Sequence, residues 1–234
     1  KMPGLEAVLD VIYNPFRTAL LQQAEARGLP AVNGMLMLVA QAKYAAEHFL
    51  GRPLPDAEID RIDRELRGKL SNLVLVGMPG SGKSTVGRLA ARTLGLPFVD
   101  ADKALEQAEG RSIPDIFADG GESYFRTLET RVLTDLCRRE GMVLATGGGA
   151  VLRRENRTLL KGSGLVIFLD RSPWAIRRTL RRQGRPLLTD DDAIFRLYRQ
   201  RRSLYRAAAH HAVNKPTARQ AAAEAVRLWR EEQQ

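Results

Sequence analysis

Short apolar runs alternate with helical patterns over most of the chain, starting at Leu73. Leu73–Gly77 is apolar, a glycine-rich loop follows, and a helical pattern runs from Lys83 to Leu94. LPFVDAD, residues 96–102, predicts a second strand that ends in acids. Helical spacing recurs over Ile113–Phe117 and Ser123–Arg139. MVLATGGGA (142–150) predicts a third strand running into glycines, and GLVIFLD (164–170) a fourth. Pro173–Arg182 is helical, a polar lid-like segment follows, and another helix reaches Tyr205. HHAVN (210–214) predicts a fifth strand, and Ala218–Trp229 a closing helix. Strands separated by helices predict a parallel, doubly wound α/β sheet, because parallel neighbours need a crossover between them. Ligands of such sheets sit at the carboxyl ends of the strands. The glycine loop, the acids and the triple glycine all fall there.

Before Leu73 the pattern changes. Gly51-Arg52-Pro53-Leu54-Pro55 is a turn-rich joint, since each proline disfavours helix in the residue before it. Asp56 is placed to cap a charged helix over 57–69, with Ile59, Ile62 and Leu66 at helical spacing and Gly68 placed to end it. The expected organisation is a helical fragment over 1–51, a linker helix over 52–71, and an α/β domain over 72–234.

Composition narrows the function classes. At 234 residues and 44% hydrophobic, the chain supports one good core and a smaller unit. No run approaches the roughly 20 apolar residues of a membrane span, and no basic-then-apolar opening marks secretion. The lone Cys137 excludes an internal disulfide and fits a reducing cytoplasm; it reads as a small buried hydrophobe within a helix. The formal charge is +10, and eleven arginines lie between Arg171 and Arg206. They do not form an aromatic-interleaved basic stripe of the kind that stacks bases. The excess therefore predicts a small-anion site and a solvated helix face, with no nucleic-acid partner and no membrane.

GMPGSGKS, Gly77–Ser84, fits the phosphate-loop pattern G-x-x-x-x-G-K-[ST]. Gly77, Pro79, Gly80, Ser81 and Gly82 form a turn that aims backbone N–H groups inward, and the helix opening at Lys83 adds its positive end. Lys83 reaches the β- and γ-phosphates of ATP, Ser84 holds Mg²⁺, and Thr85 touches the α-phosphate. Asp100 and Asp102, two apart on a strand, are expected on one side: one orients the magnesium shell and the other takes a proton from an attacking hydroxyl. An ordinary helix cap is the competing reading. Arg126 either grips a carboxylate or pairs with Glu122 or Glu129 at helical spacing. Gly147, Gly148 and Gly149 let a ligand approach the backbone, or form a plain loop. Arg185 is a lid arginine or a surface charge, and Arg201 or Arg202 could bind a substrate anion. His48, His210 and His211 show no metal-ligand spacing, and Trp174 and Trp229 read as packing residues.

GMPGSGKST, DAD, GESYFRTLE, TGGGA, RPLL and RRSLYR, in this order, resemble shikimate kinase over Leu73–Leu228. The resemblance implies a P-loop, nucleoside-monophosphate-kinase-like three-layer fold with a parallel five-stranded sheet. The implied reaction moves the γ-phosphoryl of ATP to the 3-hydroxyl of shikimate. It implies Lys83 and Ser84 for phosphate and Mg²⁺, Asp100 in the magnesium shell, and Asp102 at the substrate hydroxyls. Arg126 and Arg201 would hold the carboxylate, Gly147–Gly149 would line the substrate site, Arg185 would arrive with the lid, and Arg178 would stack near adenine. An adenine loop would lie near Asn214–Thr217.

The opening stretch, with DVIYNP, NG and MLVAQA, resembles the carboxyl end of shikimate dehydrogenase. In that family the positions of Tyr13 and Gln41 contact shikimate. The glycine fingerprint and catalytic pair of that family are absent, so the fragment is expected to be inactive alone. A dehydrogenase–kinase fusion is implied, with apolar residues such as Leu36, Leu38 and Val39 left for self-association or for the missing dehydrogenase part. Two other readings compete: a gluconate-type small-molecule kinase, and a non-catalytic ATP-binding remnant.

Overall fold

The chain alternates strand and helix along most of its length in a computed structural model that describes residues 4–179 and 192–233. The amino-terminal part holds β1 (Val8–Leu9), α1 (Ala19–Glu25), β2 (Ala31–Val32), α2 (Met35–Leu50) and α3 (Ala57–Leu70). Then come β3 (Asn72–Val76), α4 (Lys83–Leu94), β4 (Phe98–Asp100), α5 (Ala101–Glu109), α6 (Ile113–Cys137) and β5 (Val143–Ala145). The chain continues with α7 (Arg154–Ser163), β6 (Gly164–Leu169), α8 (Pro173–Thr179), α9 (Ala193–Ala208), β7 (His211–Val213) and α10 (Ala218–Glu231).

The five later strands form one sheet in the order β4-β5-β3-β6-β7, with every pairing parallel. β3 and β6 are buried at every position because both faces are covered. Leu73 and Leu75 join Leu165 and Ile167 on one face, under α4 and α10. Val74 and Val76 join Val166 and Phe168 on the other, under α5, α6, α7 and α9. A side-chain period of two therefore divides the core into two halves and makes the fold three-layered.

Local boundaries depart from the sequence reading in several places. β4 ends at Asp100, so Asp102 lies in the first turn of α5 and the two acids are not alternate residues of one strand. Asp100 caps that helix by accepting from the Asp102 N–H at 3.2 Å, so its carboxylate both caps and faces the phosphate loop. Over 113–139, by contrast, two helical stretches meet as expected: α6 is kinked at Gly121, whose φ of 70° a side chain would disfavour. α3 runs on through Gly68, where an added methyl would lie 3.6 Å from the Trp229 ring, and does not end there. Asp56 makes no cap bond; its carboxylate instead takes the buried Lys43 ammonium at 2.6 Å. Trp229 is buried as expected, but Trp174 is exposed and packs edge-on against Phe195. Cys137 is half-buried at the end of α6, and burial pushes its thiol up to about 11.

The amino-terminal part is helical but also contains β1 and β2, which pair in parallel. It docks at the end of the sheet away from the glycine loop. Arg17 N–H donates to Gly162 O at 3.3 Å, Gln22 Nε2 to Thr158 O at 3.3 Å, and Asn14 Nδ2 to Glu140 Oε1 at 2.7 Å. Arg17 also pairs with Glu232. Among the described residues, all but two of the large exposed hydrophobic ones lie here, Leu36 and Leu38 among them; Val39 is instead buried. Among the described residues, no helix is long and apolar enough to cross a membrane.

Candidate active site

The glycine loop leaves the carboxyl end of the central strand β3 and enters α4. Gly80 and Gly82 adopt φ of 79° and 97°, a left-handed backbone that turns the loop's N–H groups inward. Lys83 is buried, and its ammonium donates to Gly77 O at 2.8 Å and Met78 O at 3.0 Å across the loop. The Ser84 hydroxyl donates to Asp100 Oδ2 at 2.6 Å. One hydroxyl and one carboxylate oxygen side by side form a hard-oxygen pair suited to Mg²⁺ that keeps most of its shell for phosphate and water. Among the described residues no group of three or more His, Cys, Asp or Glu could hold a metal by itself.

A cleft of about 810 Å³ joins this loop to the other strand ends. Pro79, Thr85, Asp102, Arg126, Gly147–Gly149 and Arg201 border it. Asp102 is half-buried, and burial pushes its carboxyl above 3.8 although the nearby Lys83 pulls the other way. A poised carboxyl of this kind suits a group that gains a proton during reaction.

Arg126 pairs with both acids at helical spacing and also faces the cleft. Its guanidinium is clamped by Glu129 Oε2 at 2.8 Å and Glu122 Oε1 at 2.9 Å, and still borders the cleft. Burial opposes its charge, but these pairings outweigh it and raise its pKa. Glu129 is itself buried, its pKa raised by that burial, and Oε1 has no hydrogen-bond partner. Spacing from Arg126 could have flagged Glu129 as a functional group and not only as a competing partner.

The triple glycine is required by close approach, since none of its members has a positive φ. A methyl at Gly147 would lie 2.6 Å from Asp102 Oδ1 and 2.8 Å from Glu129 Oε1. One at Gly148 would strike Pro79 Cγ at 2.6 Å, and one at Gly149 would fall 2.2 Å from Arg126 Nη1. Arg201 is buried on α9 and donates to Gly148 O at 3.2 Å, as does the Tyr205 hydroxyl. Arg202 turns away to Asp170 at 3.0 Å, so Arg201 is the arginine of the pair that faces the cleft.

A smaller pocket adjoins the loop, bordered by Thr85, Leu169, Arg171, Lys215, Pro216 and Thr217. It contains the stretch expected near adenine. Arg178 is exposed on α8 and borders neither cavity; Arg171 borders both and reaches Gly80 O at 3.4 Å. Arg171 carried no motif and was missed for that reason. Arg185 lies outside the described residues. Tyr13 and Gln41 are exposed and border neither cavity.

A family model described as shikimate kinase matches residues 79–229. The shikimate kinase of Thioalkalivibrio sulfidiphilus is 49% identical over 140 residues, covering 58% of this chain and 74% of that protein. That of Paracidovorax citrulli is 47% identical over 155 residues, covering 64% of this chain and 85% of its own length. Among solved structures, shikimate kinase from Acinetobacter baumannii in complex with shikimate aligns with a TM-score of 0.67 at 38% identity, over 70% of this chain and 96% of that one. The chain belongs to the shikimate kinase family.

Proposed function

We propose that this chain transfers the γ-phosphoryl of ATP to the 3-hydroxyl of shikimate, giving shikimate 3-phosphate and ADP. One observation carries the reading: a single cleft joins a complete phosphate loop to a carboxyl poised above its ordinary pKa and to two buried arginines. Phosphoryl transfer needs positioning and charge neutralisation more than covalent chemistry from the protein. Lys83 and the loop N–H groups, with Gly77, Pro79, Gly80, Ser81, Gly82 and Thr85, hold the ATP phosphates. Ser84 and Asp100 would hold Mg²⁺, which would neutralise charge on the transferring group. Asp102 holds the acceptor hydroxyl and takes its proton. Arg126 and Arg201 bind the acceptor carboxylate, and the bare backbone of Gly147–Gly149 gives the ring room. Arg171, Lys215 and Pro216 would hold the base side of the nucleotide, with the lid residue Arg185 completing the set. The curated relatives, at 47–49% identity, favour shikimate over a gluconate-type acceptor.

We read residues 1–51 as a dehydrogenase-like end, inactive alone, and 52–71 as the linker to the kinase domain over 72–234. The supporting feature is a two-stranded parallel sheet with Leu9, Val11 and Val32 exposed, since parallel strands are ordinarily covered on both faces. Its apolar surface would be covered by a second copy or by a dehydrogenase part. Light scattering that gives a clean monomer, with this segment protected from proteolysis, would count against self-association. Cytoplasmic action in a bifunctional fusion is part of this reading.

The test is coupled ADP release with Mg·ATP and shikimate, quinate or gluconate as acceptor. Shikimate-dependent turnover that disappears in Lys83→Ala while the fold survives is the expected result. Equal turnover with all three acceptors, or with none, would overturn the assignment.

A further inference from the structure

We infer that Asp170 is a positioning residue for binding of the substrate carboxylate: it locks the rotation of α9, so that Arg201 and not Arg202 faces the triple-glycine loop. The inference rests on shikimate as the acceptor. Asp170 follows the last residue of β6, and its backbone N–H donates to Val213 O at 3.0 Å, so the strand ladder holds it still. Its side chain is buried. Oδ1 accepts from the Tyr198 hydroxyl at 2.8 Å, Oδ2 accepts from Arg202 Nη2 at 3.0 Å, and Arg206 Nη2 lies 3.9 Å away. Tyr198, Arg202 and Arg206 are four apart, so they line one stripe of α9. A single carboxylate at the sheet thus holds that stripe.

Arg201 and Tyr205 form the neighbouring stripe, about 100° around the helix. Both donate to Gly148 O, and the Tyr205 ring stacks on Phe168 with centroids 5.1 Å apart. Arg201 and Arg202 are adjacent cations, and a rotation of α9 by one residue would exchange them. Side-chain chemistry alone does not choose between two arginines. The buried carboxylate does, because it would be left uncompensated if Arg202 and Tyr198 turned away. The neighbouring Arg171 borders the nucleotide side of the cleft, so the same strand end also reaches the phosphate loop.

The experiment is steady-state kinetics of Asp170→Ala with shikimate and with its methyl ester, which lacks the carboxylate charge. A perturbation carried through packed elements predicts a rise in the KM for shikimate of roughly three- to thirtyfold. KM for ATP should stay within twofold of the parent, and the preference for acid over ester should shrink by a factor similar to the rise in KM. A shikimate KM within twofold of the parent overturns the inference, as does a loss shared equally by acid and ester. Should Asp170→Ala lack a cooperative unfolding transition, Tyr198→Phe combined with Arg202→Ala removes the same clamp from its more exposed side and is judged by the same readouts. A parent chain without shikimate-dependent turnover would overturn the acceptor assignment and this inference together. A parent with turnover but an unchanged variant would overturn only this inference.

Discussion

Gly149→Ala should weaken acceptor binding through Arg126 alone. Gly149 does not have a positive φ, so alanine is compatible with the backbone. The methyl would lie 2.2 Å from Arg126 Nη1 and 2.3 Å from its Cζ, well inside contact distance. A guanidinium at the end of a flexible chain could ordinarily swing aside. This one is held at 2.8 Å by Glu129 and at 2.9 Å by Glu122, and Glu129 is buried. Retreat would break a buried ion pair, and staying would overpack the site at about 1–3 kcal/mol. The pose that grips a carboxylate is lost either way. Losing one hydrogen bond between charged groups costs about 1.5–3 kcal/mol, or roughly ten- to 150-fold in kcat/KM. Coupled ADP release should place that loss in the KM for shikimate and leave the KM for ATP near its parent value. Thermal unfolding checks that the variant is folded. A folded Gly149→Ala with an unchanged shikimate KM would refute the view that the glycine is there to make room for Arg126.

Two further outcomes follow from charge. Burial holds the Asp102 carboxyl above 3.8, and the group must be ionised to accept a proton, so the acidic limb of kcat/KM against pH should lie above 3.8. An acid limb at or below 3.8, measured with shikimate, would dismiss Asp102 as the base. Burial also lowers His210 from 6.5 to about 3, with Nδ1 accepting from the Val166 N–H at 2.9 Å. The folded state keeps this ring neutral while the unfolded chain binds a proton, so the contribution is present above 6.5 and lost as pH falls toward 3. The slope approaches about 1.4 kcal/mol per pH unit. Urea unfolding from about pH 5 to pH 7 should show a shallower slope in His210→Asn, which keeps an acceptor near the Nδ1 position; identical slopes would contradict it.

Much of the site could be read from the order of residues. A phosphate loop is a local object: its glycines, lysine and serine are contiguous, and the strand before it and helix after it follow from short-range pattern. The parallel sheet was legible for the same reason, since β3 and β6 are apolar on both faces. Local patterning misjudged the point where β4 becomes α5, because Asp100 serves as both strand end and helix cap. It also misjudged Trp174, whose helical spacing does not reveal that α8 leaves its ring in solvent.

Sequence alone determined the strand–helix alternation, the phosphate grip and the set of charged groups available for an acceptor. Tertiary structure decided which of those groups meet. The adjacent arginines on α9 are equivalent as letters; only the helix rotation, held by Asp170 and by Gly148 O, puts Arg201 at the cleft. Arg126 could pair with neighbouring acids or face the cleft; the fold makes it do both, because Gly149 leaves the space a side chain would fill. Such choices rest on contacts between residues far apart in the chain, at distances of a few ångströms that no spacing in the sequence encodes.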